Sequence, residues 1–210
     1  MQLNQILNDF FQQVKATSLA EWLAVGFGIL QVWFAKSNKP INYLFGISGI
    51  VISIYVLYFA KLYGEIALNM YYLLMSIYGW IYWQQNSNHQ HIISTASRKD
   101  WIIVLLICIL GFTVFYFGLL HATDSDVPLW DALVSCTAWA GMWLLAKRKI
   151  ENWILLNISN LMAIPLLYHK DLLLFAALTV FLFVMAFFGY FNWKRILKHE
   201  LTYDTYSRSN

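Results

Sequence analysis

WFAKSNKPINY at residues 33–43 and WLLAKRKIENW at 143–153 are two versions of one pattern: an apolar helix end, a short basic turn, then Asn and an aromatic ring. Superposed at an offset of 110, they align Trp33 with Trp143, Lys39 with Lys149, Asn42 with Asn152 and Tyr43 with Trp153. Further along, the same ungapped offset aligns Leu57–Tyr58 with Leu167–Tyr168, Leu62 with Leu172, Gly79 with Gly189 and Trp83 with Trp193. Glu21 falls on Asp131, which keeps the charge. Apolar segments match Leu to Leu freely, whereas Trp, Gly and Asn coincidences at a single offset are harder to obtain by chance. The chain therefore reads as an internal duplication.

The medium in which this duplication folds follows from composition. The hydrophobic set makes up 60% of the 210 residues, against about 45–50% in ordinary globular proteins. Charged residues are only 12% and the mean hydropathy is +0.56. A chain of 24.5 kDa with so little charge is solvated mostly by lipid. Disorder, a disulfide scaffold and a soluble enzyme are excluded for the chain as a whole. The net charge of +3 gives no support to nucleic-acid binding. Cys108 and Cys136 each lie in an apolar run and read as membrane-buried thiols rather than a pair.

A spanning helix needs about 20 mostly apolar residues. Seven stretches qualify: 19–35, 41–60, 66–84, 101–120, 129–146, 153–168 and 172–193. Before them, Leu3, Ile6, Leu7, Phe10, Phe11 and Val14 share one helical face opposite Gln, Asn and Asp, so residues 1–18 read as an amphipathic helix lying in the membrane interface. Ser18 and Glu21 form a capping-box pair that opens the first span. Pro165, inside the sixth, is expected to kink or break it.

The predicted fold is an all-α integral membrane protein. Its parts are the interfacial helix 1–18, a three-helix bundle at 19–84, a loop and linker span at 85–128, a second three-helix bundle at 129–193 and a tail at 194–210. Three spans are an odd number, so one linker span is needed to restore the same orientation to the second copy. The expected arrangement is 3+1+3, with a parallel pseudo-two-fold and a substrate site between the halves near the midplane. Duplication kept only for packing is the bland alternative.

Basic residues divide unequally between the two sides. Lys15, Lys61 and Lys170 fall on one side, whereas Lys36, Lys39, Arg98, Lys99, Lys147, Arg148, Lys149, Lys194, Arg195, Lys198 and Arg208 fall on the other. The positive-inside rule then puts the N-terminus outside and the C-terminus in the cytoplasm.

On the third span Asn69, Tyr72, Ser76 and Trp80 share a face; on the sixth, Trp153, Asn157 and Asn160 do. Amides in a bilayer face a bundle interior or a cavity, so the two faces read as a pocket with neutral hydrogen-bonding groups and rings for stacking. The competing account is interhelical bonding at about 0.6 kcal/mol per group. No Asp, Glu, Lys, Arg or His occupies the middle of any span, which disfavours coupling to a proton or sodium gradient. An uncharged aromatic pocket suits a cationic heteroaromatic ligand, held at about 2 kcal/mol or more by cation–π attraction when desolvated.

Glu21 and Asp131, at the outer starts of the first and fifth spans, either favour a helix N-terminus or attract such a cation. His89 and His91 read as a solvated loop rather than metal ligands. The reading calls for no metal and no cofactor. An intramembrane enzyme would need a catalytic pair at membrane depth, and none is present. A receptor-like membrane protein is the remaining class, separable from a transporter by counterflow of labelled substrate.

KLYGEIALNMYYLLMSIYGWIYW at 61–83, VPLWD at 127–131 and the basic run leading into IENW at 150–153 resemble the PnuC family of vitamin-precursor transporters, over about residues 20–195. The resemblance implies a 3+1+3 fold like that of the SWEET sugar transporters, a homotrimer, and inward facilitated diffusion of nicotinamide riboside trapped by cytoplasmic phosphorylation. Some members of the family carry thiamine or riboflavin. Resemblance, spacing and repeat together give a candidate site of Trp153, Asn157, Asn160 and Leu156 with Asn69, Tyr72, Ser76 and Tyr43. The nicotinamide riboside members carry Trp-x-x-Trp-x-x-x-Asn, and here Leu156 stands in place of the second Trp. Asn69 stands where a Gln is usual, and Gly49 where an Asn is. Truncating Trp153 or Asn160 is expected to weaken binding; truncating Trp83, near the end of its span, is expected to leave it intact.

Overall fold

A computed structural model describes residues 2–59, 63–85, 93–122, 127–170 and 172–209. They form eight helices: α1 Gln2–Ala16, α2 Leu19–Lys36, α3 Asn42–Phe59, α4 Tyr63–Gln85, α5 Arg98–Ala122, α6 Pro128–Ala146, α7 Asn152–His169 and α8 Leu173–Ser209. Helix starts follow local chemistry. At α2 the Ser18 N–H donates to the Glu21 carboxylate (2.7 Å) while the Glu21 N–H donates to Ser18 Oγ (3.3 Å), the expected reciprocal cap. Ser97 and Asp100 do the same for α5. Pro128 opens α6, where its missing N–H costs nothing. The Gln13 side-chain oxygen accepts from the Leu173 N–H (2.9 Å), so the end of α1 caps the start of α8.

Packing order recurs between the two halves. α2 packs on α3, α3 on α4 and α4 on α6; likewise α6 packs on α7, α7 on α8 and α8 on α2. Six helices thus close a ring, and α5 lies outside it, chiefly against α6. The two basic turns match atom for atom. Among the described residues, Asn38 and Arg148 are the two left-handed non-glycine positions, at φ 54° and 53°. The N–H groups of Asn38 and Arg148 bond the carbonyls of Ala35 and Leu145 at 2.9 Å each. The next N–H groups, of Lys39 and Lys149, reach back to Phe34 and Leu144 at 3.0 and 2.9 Å, the pattern that satisfies the last carbonyls of a helix. Asn42 and Asn152 then donate their side-chain amides to the carbonyls of Lys39 and Lys149, at 2.7 and 2.6 Å. That is why Asn recurs at this offset.

α2, α3, α5, α6 and α8 are long and apolar enough to cross a membrane on their own. The other two expected spans, α4 and α7, carry the polar faces, and those residues lower their apolar content. Pro165 is held within α7, which continues unbroken to His169. The segment from 194, read as a tail, continues α8 to Ser209. Lys194–Glu200 contains no Gly or Pro, and Ile196 and Leu197 pack against the buried aromatic core. Lys61, His89 and His91 lie outside the described residues.

Candidate substrate site

The core at the basic end is a chain of four rings. Tyr43 of α3 meets Trp83 of α4 edge-on (5.0 Å, 87°), and Trp153 of α7 meets Trp193 of α8 edge-on (5.6 Å, 90°). Trp83 and Trp193 meet each other across the ring centre at 5.9 Å. Each outer ring needs a glycine one helix away. A methyl group on Gly189 would come within 2.6 Å of the Trp153 indole, and one on Gly79 would collide with the Tyr43 phenol. The glycine and ring positions are therefore coupled in both halves.

Tyr43 and Trp153, read from the sequence as substrate contacts, are buried in this cluster, 0% and 4% exposed. Trp83, read as a neutral position, is 0% exposed and sits at the centre of the cluster. Arg148 lies over it, 4.2 Å from the ring centre, and is itself 3% exposed. Burial pushes the Arg148 pKa down to about 10, opposed by neighbouring Tyr43, Tyr82 and Glu200, so the group stays charged at neutral pH.

The expected polar faces begin one turn further in. Asn157 and Asn160 lie about 6 and 10 Å along α7 from Trp153, and Ser76 lies about 10 Å along α4 from Trp83. Ser76 is fully buried; Asn69, Tyr72, Asn157 and Asn160 are half-buried. Ser76 Oγ, Asn157 Oδ1 and Trp153 Nε1 are buried without a protein partner. An unmet buried polar atom costs about 1–3 kcal/mol, so such atoms ask for a water or a ligand. Ser159 behaves differently: its hydroxyl donates to the Val134 carbonyl (2.9 Å), which is interhelical bonding.

Tyr71 and Trp139, which sequence reasoning passed over, close the α4–α6 contact. Their rings stack at 4.2 Å and 20°, the Tyr71 hydroxyl donates to the Trp139 carbonyl (3.1 Å), and Trp139 Nε1 is another buried donor with no protein partner. Tyr71 falls between the spacings that picked out Tyr72, and only the packing of α4 on α6 brings it forward.

Two departures from the family pattern have packing explanations. Leu156 lies against α6: a methyl on Gly141 would come within 2.7 Å of its Cδ2. The first half has the same contact with the glycine on the other helix, Gly46 of α3 against Gln31 of α2. Gly49 faces α2, where a methyl would sit a tight 3.2 Å from Phe27 Cβ, so any side chain there must push α2 back. Asp131 forms an ion pair with Lys170 at 2.6 Å, and Glu21 is engaged in its cap, so neither acid stands alone.

The profile of the nicotinamide mononucleotide transporter family matches residues 18–195. The chain belongs to this family. It is 28% identical over 190 residues to a protein of Neisseria mucosa named nicotinamide riboside transporter PnuC, covering 82% of this chain and 71% of that one. A protein of Escherichia coli K12 with the same name is 21% identical over 164 residues, covering 65% of this chain and 69% of that one. A crystal structure described as the vitamin B3 transporter PnuC superposes with a TM-score of 0.69 at 25% identity, covering 94% of this chain and 90% of that one. As a member of this family the chain is a membrane transporter rather than an enzyme.

Proposed function

We propose that this chain carries nicotinamide riboside into the cell by facilitated diffusion, and that cytoplasmic phosphorylation traps it. The observation that carries this reading is the pair of buried polar atoms without a protein partner among the described residues, Ser76 Oγ and Asn157 Oδ1, on α4 and α7 of the six-helix ring. A hydroxyl and an amide oxygen can serve the ribose hydroxyls and carboxamide of such a ligand, and Tyr72, one turn from Ser76 on the same face of α4, offers a π face to a cationic pyridinium. The names of the relatives support the same substrate.

In this reading α4 and α7 cross the membrane with the five more apolar helices, giving seven spans in a 3+1+3 order about a parallel pseudo-two-fold. α1 lies in the outer interface, the N-terminus is outside, and the basic end faces the cytoplasm. The assembly is a homotrimer in a bacterial inner membrane.

Titration of the purified protein against nicotinamide riboside, thiamine and riboflavin, followed by Trp fluorescence, tests the substrate. Nicotinamide riboside is expected to quench at the lowest concentration, and Asn157→Ala to weaken its binding about tenfold, the equivalent of one lost buried hydrogen bond. Equal or tighter binding of thiamine would overturn the substrate. Counterflow of labelled nicotinamide riboside in liposomes is expected without any proton or sodium gradient. Accumulation driven by an imposed gradient would overturn facilitated diffusion.

A further inference from the structure

Two seams join the halves at the basic end, and they are built unequally. The first joins α4 to the 147–151 turn. Here Trp83 Nε1 donates to the Ala146 carbonyl (3.1 Å), the Arg148 guanidinium covers the Trp83 ring, and Lys147 Nζ lies over Tyr78 and Tyr82 at 5.2 and 4.8 Å. A strap preceding α5 pairs with the same turn. The Ser94 N–H donates to the Arg148 carbonyl (3.1 Å), and its carbonyl accepts from the Ile150 N–H (3.0 Å). The Ala96 N–H donates to the Glu151 carboxylate (2.8 Å), and Ile93 is fully buried in the aromatic core.

The second seam joins α8 to the 37–41 turn. Trp193 Nε1 donates to the Ala35 carbonyl (2.9 Å) and Asn192 Nδ2 to the Lys36 carbonyl (2.7 Å). Position 38, the equivalent of Arg148, is Asn, so no guanidinium covers Trp193. The residues at the strap's offset, 203–206, lie within helix α8 instead.

We infer that the ring opens at its basic end by parting α8 from the 37–41 turn, with the strapped seam between α4 and the 147–151 turn remaining closed as the hinge side. Both seams carry an indole bond to a helix-end carbonyl. Among the described residues only the first adds cations held over rings of the facing helix, contacts that parting would break. Opening therefore takes the second seam. The inference rests on the transport reading above, and it makes Asn192 and Trp193 positioning residues for release rather than substrate contacts.

The test uses the full chain with Cys108→Ser and Cys136→Ala, carrying either Lys36→Cys with Asn192→Cys or Tyr82→Cys with Lys147→Cys. Closing the 36–192 pair with a short reversible thiol cross-linker is expected to cut nicotinamide riboside uptake into liposomes at least about tenfold, reductant restoring it, whereas closing 82–147 leaves uptake within about twofold. Spin labels at the same pairs need no substrate: the 36–192 distance is expected in two populations and the 82–147 distance in one. Uptake blocked by the 82–147 cross-link, or two populations there with one at 36–192, would overturn the inference. If the reduced proteins carry no nicotinamide riboside, the substrate reading fails, while the spin-label distances still decide how the ring opens.

Discussion

Trp83→Ala is expected to destabilise this protein more than loss of any other single ring. The indole is fully buried, and removing it leaves a cavity costing about 3–5 kcal/mol. It also strands the Ala146 carbonyl and uncovers the buried Arg148 guanidinium. At a few degrees per kcal/mol for a chain of this size, the melting temperature should fall by roughly 10 °C. Thermal unfolding in detergent checks it against Trp22→Ala, whose ring is 41% exposed and whose loss should shift little. Trp83→Phe refills most of the volume but keeps no N–H, so it should fall between the two. Melting of Trp83→Ala alongside Trp22→Ala would show that the four-ring chain is not the structural centre.

That result would also mark what a linear sequence conveys in a chain like this. Helix positions were legible because lipid imposes a length and a composition: the 129–146 reading and α6 at Pro128–Ala146 differ by one residue. The capping box at Ser18 and Glu21 was legible because both partners lie within one turn. The offset of 110 was legible as well, and Asn42 with Asn152 shows a local cause for it, each amide closing its own turn.

The direction in which a side chain points was not legible. Spacing puts Trp153, Asn157 and Asn160 on one face of α7, yet Trp153 is fixed by a glycine on α8 thirty-six residues later, and nothing in its own helix announces Gly189 as its seat. The same holds for Tyr43 and Gly79. The polar faces were found by spacing, whereas Tyr71 and Trp139 needed the packing of α4 on α6. Arg148 was counted among the basic residues of a turn. Its burial follows from the left-handed backbone at that position and the ring beneath it, both invisible to a charge count.

Leu156→Trp is the second variant with a large expected effect, and the packing reverses what the family pattern suggests. In the Trp-x-x-Trp-x-x-x-Asn pattern, position 156 would hold a ring, so restoring Trp should tighten nicotinamide riboside binding. Here Leu156 already touches the bare backbone side of Gly141, and α6 and α7 approach closely because one partner has no side chain. An indole has several more heavy atoms than isobutyl and no compressible neighbour to displace. Overpacking of this kind costs about 1–3 kcal/mol and forces off-rotamer side chains or a shift of α6 from α7. Asn157 is the next residue on α7, so such a shift would misplace its carbonyl oxygen as well. Leu156→Trp is therefore expected to melt earlier than the parent and to bind both nicotinamide riboside and thiamine more weakly. Leu156→Met, which nearly preserves volume, should leave both properties close to the parent. Fluorescence titration and thermal unfolding on the same three preparations separate the accounts. Tighter nicotinamide riboside binding by Leu156→Trp at unchanged melting temperature would show that the ring swings toward the ligand, and position 156 would then belong to the site rather than to the α6–α7 contact.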